Sequence, residues 1–85
     1  MKEFVYKIKD ELGIHARPAG LLVKKISSYQ SNTEIECKGK KADGKKIFSL
    51  MSLGVKQGDE ITVKISGNDE ETVCEELKHF LNENL

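Results

Sequence analysis

The sequence predicts an α+β fold, an open-faced β-sandwich in which three helices cover one face of a four-stranded antiparallel sheet. Three short segments alternate between apolar and polar residues, which is the period of a half-buried strand, and a charged segment follows one of them as its hairpin partner. Elsewhere, apolar residues recur at three- and four-residue spacing, as on one face of a helix. The predicted order is β-α-β-β-α-β-α, in which all the helices can cover the same face of the sheet.

The N-terminal third is predicted to be a strand, a loop and a helix. Residues 2–8 alternate, with Phe4, Tyr6 and Ile8 on one face and Glu3, Val5 and Lys7 on the other, and residues 9–13 form the loop. The helix is expected to begin within two residues of His15, with Pro18 in its first turn, where the missing N–H removes no helical hydrogen bond. Leu21 lies off the apolar stripe of this helix and is expected to be partly exposed. The residues expected to face the core are Phe4, Tyr6, Ile8, Ala19, Leu22, Val23 and Ile26.

The middle of the chain is predicted to form a hairpin and a short helix. Residues 33–37 alternate again, and Lys38-Gly39 follows as a two-residue turn, since glycine tolerates positive φ. Residues 40–42 return as a charged edge strand, whose lysines discourage further strand pairing. Residues 47–51 are apolar, and Gly54 follows, as at the end of a helix. A helix this short has two sides, so only two of its four apolar residues are expected in the core, and the others face solvent or a partner.

The last third is predicted to be a strand followed by the final helix. Residues 60–65 give the clearest alternation, with three β-branched residues on one face. Asn68 is expected to cap the helix, and the acidic residues 69–71 suit its first turn. Val73, Leu77, and Phe80 or Leu81 are expected to face the core.

Composition excludes several classes of protein. The 85 residues suit one domain, residues 1–85, with 14 basic and 14 acidic side chains that cancel. A domain that binds nucleic acid needs an excess of basic residues, so no nucleic-acid partner is expected. No run approaches the roughly 18 apolar residues of a membrane span. Charges interrupt the N-terminal segment, so a signal peptide is not expected either.

The two cysteines point to a reducing compartment. Cys37 and Cys74 lie far apart, and no CxxC or Cys/His cluster is present, so neither a zinc site nor a disulfide framework is indicated. We expect a cytoplasmic monomer with semi-buried thiols and without a metal or a cofactor.

The candidate functional residues lie in residues 13–19, GIHARPA, which include one of the two histidines and the only proline. Backbone N–H groups at a helix start lack helical partners and, with the helix dipole, form an anion site. The same field favours the neutral imidazole of His15, which is a nucleophile. Arg17 adds a charge-assisted contact for a bound phosphoryl group. From the residues alone a second interpretation stays open, in which His15 is a solvated loop residue or a helix cap.

The run GIHARPA closely resembles the active-site motif of the HPr family, the histidine-containing phosphocarriers of the bacterial phosphoenolpyruvate-dependent sugar phosphotransferase system. Residues 51–54, MSLG, also resemble that family at the matching distance without gaps, so the resemblance covers nearly the whole chain. It implies that His15 is phosphorylated on Nδ1, with Arg17 and the backbone N–H of Ala16 at the phosphate. The donor would be phospho-enzyme I and the acceptors the A domains of sugar transporters, with the chain itself a carrier and not an enzyme.

The resemblance also implies a surface for these protein partners, formed by the first helix and the short second helix. The residues carried over are Gly20, Leu21, Lys24, Ile47, Phe48 and Met51. The alternative is that Ile47, Leu50 and Met51 belong to the core. Two explanations stay open for a glycine at position 20: chance, or the need for space in which a partner can approach.

One position departs from the pattern. In family members from low-GC Gram-positive bacteria, a kinase modifies a regulatory serine at the start of the second helix, and the gap-free match puts Lys46 there. Lysine cannot accept that phosphate. The sequence therefore predicts a carrier without the usual serine-based regulation.

Two other functions remain as alternatives. One is an HPr-like regulatory relative that acts by binding other proteins and carries no flux. The other is an RNA-binding or small-ligand α+β domain, which is disfavoured because residues 33–37 and 60–65 lack aromatic side chains on which bases could stack.

Overall fold

The computed structural model describes residues 1–85 and contains four strands and three helices in the predicted order. Each strand differs from its predicted bounds by one residue at one end, and the first helix begins inside its predicted window. The strands are β1 (Lys2–Lys7), β2 (Asn32–Cys37), β3 (Lys40–Asp43) and β4 (Glu60–Ser66); the helices are α1 (Ala16–Ser27), α2 (Ile47–Met51) and α3 (Glu70–Asn84).

The four strands form one antiparallel sheet in the order β1-β4-β2-β3. The central strand β4 pairs with β1 on one side and β2 on the other, so that Val63 lies opposite both Phe4 and Ile35. Alternation on β4 puts Ile61, Val63 and Ile65 against the helices, where all three are fully buried. The helices pack on that face, and the other face stays open. The predicted open-faced α+β sandwich is confirmed.

The start of α3 differs from its prediction. Asp69, and not Asn68, is the N-cap residue, and its side chain does not cap the helix. The Asp69 carboxylate instead accepts hydrogen bonds from the Ser31 hydroxyl and from the N–H groups of Gln30 (3.0 Å) and Ser31 (2.9 Å). These bonds hold the pKa of the Asp69 carboxyl below its usual value. They join the α1–β2 turn to the start of α3, a long-range contact with no local sequence signal.

Both cysteines are buried and unpaired. Burial raises the pKa of the Cys37 thiol. No helix combines the length and apolar character needed to cross a membrane.

Candidate functional site

His15 is the N-cap residue of α1, at the mouth of the helix. Its backbone is extended (φ −103°, ψ −179°), and its carbonyl accepts the first helical hydrogen bond from Ala19 N–H at 2.9 Å. Its imidazole makes no capping hydrogen bond and is 36% exposed. Because the ring is partly exposed and is not engaged as a cap, a reacting group on another molecule can reach it.

The start of α1 offers few but unoccupied hydrogen-bond donors. The N–H groups of Ala16 and Arg17 have no acceptor, and Pro18 has no N–H, so two free donors follow the histidine in α1. The side chain of Arg17 is exposed and takes part in none of the ion pairs of the chain. Two backbone donors and one unpaired guanidinium are therefore available near His15 for an anion.

The loop before α1 is held against the α2–β4 connection. Gly13 has φ +66°, in the left-handed region, and a Cβ on it would lie 2.2 Å from Val55 O. The N–H of Ile14 donates to the same oxygen at 3.2 Å, and the Ile14 side chain is buried. No sequence pattern pointed to a role for Val55. Its carbonyl is in fact a support for the backbone that carries His15.

Asp10 is a further polar group at the site, and the motif did not indicate it. Its Oδ1 lies 3.9 Å from Nε2 of His15 and accepts a hydrogen bond from Leu12 N–H at 2.9 Å. The N–H groups of Lys9 and Asp10 both donate to Leu85 O, so the end of α3 fixes this part of the loop. An aspartate followed two residues later by a bonded N–H is an Asx turn, which the sequence could have indicated. The contact with Leu85 has no sequence signal.

These residues surround a shallow depression of about 240 Å³. Its lining includes Asp10, His15 and Arg17, together with Glu83 and Asn84 from the last turn of α3. No group of three His, Cys, Asp or Glu side chains is arranged to hold a metal ion. The depression offers a nucleophile and an anion site but no enclosed pocket for a small substrate.

The predicted partner residues lie on two adjoining helices, and we call Gly20, Leu21, Lys24, Ile47, Phe48 and Met51 the α1/α2 surface. Phe48 is 85% exposed, and Leu21 and Met51 are exposed as well. Ile47 is half-buried against the core, and Leu50 is fully buried. The core alternative is therefore right for Leu50, partly right for Ile47 and wrong for Met51.

Gly20 lies where α1 approaches α2. A Cβ on Gly20 would meet Cδ1 of Ile47 at 3.8 Å, which is an ordinary contact distance, so packing does not require glycine there. Lys24 is exposed on the same helix. Lys24 is the one charged residue of the α1/α2 surface, and no acidic residue occurs in residues 13–31 or 44–58.

Lys46 is the N-cap residue of α2, as the sequence match indicated. Its side chain is exposed and makes no capping hydrogen bond. The two serines nearby are engaged in local hydrogen bonds: the Ser49 hydroxyl accepts from Asp43 N–H (3.3 Å), and the Ser52 hydroxyl donates to Ser49 O (2.6 Å).

Comparisons with known proteins agree on one family. A family model for the phosphorylation site of the PTS HPr component matches residues 2–83. Phosphocarrier protein HPr of Mycoplasma genitalium is 41% identical over 85 residues, which cover 99% of this chain and 97% of that protein. The structure of HPr-C-His from Thermoanaerobacter tengcongensis matches with a TM-score of 0.94 at 38% sequence identity. The match covers 99% of this chain and 94% of that chain. Crh of Bacillus subtilis, described as a swapped dimer, matches with a TM-score of 0.78 at 35% sequence identity. This match covers 94% of this chain and 92% of the Crh chain.

The family match, the sequence identity and the structural similarity each extend over almost the full length of the chain. They include the loop, the start of α1 and the short helix α2 that together form the site. The chain therefore belongs to the HPr family of phosphocarrier proteins.

Proposed function

We propose that Nδ1 of His15 accepts a phosphoryl group from phospho-enzyme I and passes it to the A domains of sugar transporters. The observation that carries the proposal is the partly exposed imidazole at the start of α1, near two free N–H donors and the unpaired guanidinium of Arg17. The family relationship supports the general role of phosphocarrier, and the donor, the acceptors and the roles of the residues are our proposal.

The proposed step needs no acid or base from this chain. The lone pair of Nδ1 forms the bond to phosphorus while the donor's bond to phosphorus breaks and its electron pair leaves with the donor. The transferred phosphoryl group carries negative charge, which the N–H groups of Ala16 and Arg17 and the Arg17 guanidinium stabilise. Transfer onward is the same displacement with the A domain as nucleophile.

The shallow depression explains why the chain is a carrier and not an enzyme in this proposal. It encloses no small substrate, so each transfer needs the active site of a partner. The exposed apolar side chains of the α1/α2 surface and the charge of Lys24 suit brief contacts with partners that present apolar and acidic residues.

A relay assay tests this function. With phosphoenolpyruvate, enzyme I and a transporter A domain, the A domain should become phosphorylated only when this chain is present. Sugar uptake should also return in a strain that lacks its own phosphocarrier. A regulatory relative would bind partners without restoring transfer or uptake, and that result would contradict the carrier function.

Phe48 provides a test of the α1/α2 surface. Phe48→Ser should slow transfer from phospho-enzyme I by about tenfold or more, because exposed aromatics at interface centres dominate binding. The free energy of unfolding should change by less than about 0.5 kcal/mol, since the side chain is 85% exposed. Val5→Ser is a matched control, because Val5 is exposed on the open face of the sheet. Equal slowing in both variants would argue against this surface.

The absence of a serine at residue 46 leads to a separate expectation. An HPr kinase with ATP should leave the mass of the chain unchanged, because Ser49 and Ser52 lie inside or after α2 and are engaged in local hydrogen bonds. Lys46→Ser should create a substrate, since a hydroxyl is then presented at the N-cap of α2. Stoichiometric serine phosphate on the unchanged chain would refute this part of the proposal.

The proposal treats residues 1–85 as one monomeric carrier domain that works in the cytoplasm. Crh is described as a swapped dimer, so the assembly state needs its own measurement. Sedimentation of the chain at micromolar concentration should give the mass of one copy.

A further inference from the structure

The loop between β1 and α1 holds Asp10 in a fixed position. Its Oδ1 accepts from Leu12 N–H (2.9 Å), its backbone carbonyl accepts from Gly13 N–H (3.0 Å), and its own N–H donates to Leu85 O (2.9 Å). Side chain and backbone are thus restrained together, with the side chain 31% exposed.

The restrained carboxylate faces one particular nitrogen of the histidine. Oδ1 of Asp10 lies 3.9 Å from Nε2 of His15, and the imidazole makes no hydrogen bond within the chain. The proton of a neutral imidazole is on one of its two nitrogens, and the group that faces each nitrogen decides which one. A carboxylate, which only accepts, favours the tautomer with the proton on Nε2.

Neither of the other two charged side chains that line the depression takes this role. Arg17 and Glu83 also line the depression. Arg17 cannot accept a proton. The Glu83 carboxylate is 2.7 Å from Nε2 of the other histidine, His79.

We propose that Asp10 is a positioning residue, which keeps the proton of His15 on Nε2 and so leaves the lone pair of Nδ1 for phosphorus. The inference rests on the proposed function of His15 as phosphoryl acceptor. When Nδ1 donates its lone pair and the donor leaves with the electron pair of its broken bond, Nε2 keeps its proton and the ring gains positive charge. A shift of about 1 Å would then bring Nε2–H within hydrogen-bond distance of Oδ1, so the carboxylate stabilises the charged ring.

Asp10→Asn separates this role from the structural one. The amide oxygen still accepts from Leu12 N–H, but the negative charge is lost. We expect ¹⁵N NMR of the neutral, unphosphorylated protein to show His15 protonated on Nε2. In Asp10→Asn the shifts of the two ring nitrogens should move toward each other, and phosphoryl transfer should slow about two- to fivefold, the range for a partly exposed charge pair.

Two references make the test specific. Glu11→Gln removes the same charge from the next residue, which is exposed, and should change neither readout. The signals of His79, paired with Glu83, should stay in place in every variant. Asp10→Ala, which also removes the acceptor for Leu12 N–H, should change the tautomer at least as much as Asp10→Asn.

An unchanged tautomer in Asp10→Asn would overturn the inference, as would a change found in Asp10→Ala alone, because the residue would then only shape the loop. The tautomer is measured without phosphorylation. A chain that shows the expected tautomer but accepts no phosphoryl group would contradict the proposed function instead.

Discussion

Gly13→Ala should lower the free energy of unfolding by about 2 to 5 kcal/mol, the sum of left-handed backbone strain and overpacking. Gly13 has φ +66°, and the added Cβ would lie 2.2 Å from Val55 O and 2.8 Å from Lys56 Cα. Both contacts are with backbone atoms, so no side chain can rotate away to relieve them. The loop or the α2–β4 connection must move.

That movement should also affect His15. Ile14 N–H bonds to the same Val55 oxygen, so separating the two segments displaces the residue directly before the histidine. We expect phosphoryl acceptance to fall further than the loss of folded protein explains. Gly54→Ala is the matched control, since Gly54 has φ +63° but no atom within 4 Å of an added Cβ. It should cost only about 1 to 2 kcal/mol, from backbone strain alone. Urea unfolding measures both, and equal losses would show that the close approach to Val55 is unimportant.

His15→Ala should abolish phosphorylation by phosphoenolpyruvate and enzyme I while leaving the fold intact. The imidazole makes no hydrogen bond within the chain and is partly exposed, so its removal should change the free energy of unfolding by about 0.5 kcal/mol or less. His79→Ala is the control, because His79 is an exposed residue of α3 that pairs with Glu83.

Mass spectrometry gives the result directly. The unchanged chain and His79→Ala should each gain one phosphoryl group that is stable to base and labile to acid. An adduct of that kind on His15→Ala would place the acceptor elsewhere.

Elements whose signal is local were predicted from the sequence. The alternation in residues 60–65 gave β4 and its buried face, because a central strand covered by helices needs its apolar residues at every second position. The short apolar run 47–51 gave α2, and its two-sidedness indicated that only some of its apolar residues would be buried, without showing that Leu50 is buried and Phe48 exposed. The start of α1 near His15 followed from Pro18 and the change of period.

Features that depend on distant segments were not predicted. The expected cap at Asn68 is wrong, because the helix begins one residue later, with Asp69 as its N-cap residue. The Asp69 carboxylate does not cap the helix and instead accepts hydrogen bonds from Ser31. The carbonyls of Val55 and Leu85 accept hydrogen bonds from the loop that carries His15. They belong to the α2–β4 connection and the end of α3, so these bonds could not be predicted without the tertiary fold. Asp10 lies within the loop, but its approach to Nε2 of His15 depends on how the two ends of the loop are held.

The central claim is that Nδ1 of His15 carries the phosphoryl group. The most direct measurement is ¹⁵N and ³¹P NMR of the ¹⁵N-labelled chain after phosphorylation by phosphoenolpyruvate and enzyme I. We expect the phosphorus to couple to Nδ1 of His15, with Nε2 protonated and the signals of His79 unchanged. Phosphorus bound to Nε2 of His15, to His79 or to a hydroxyl oxygen would contradict the claim.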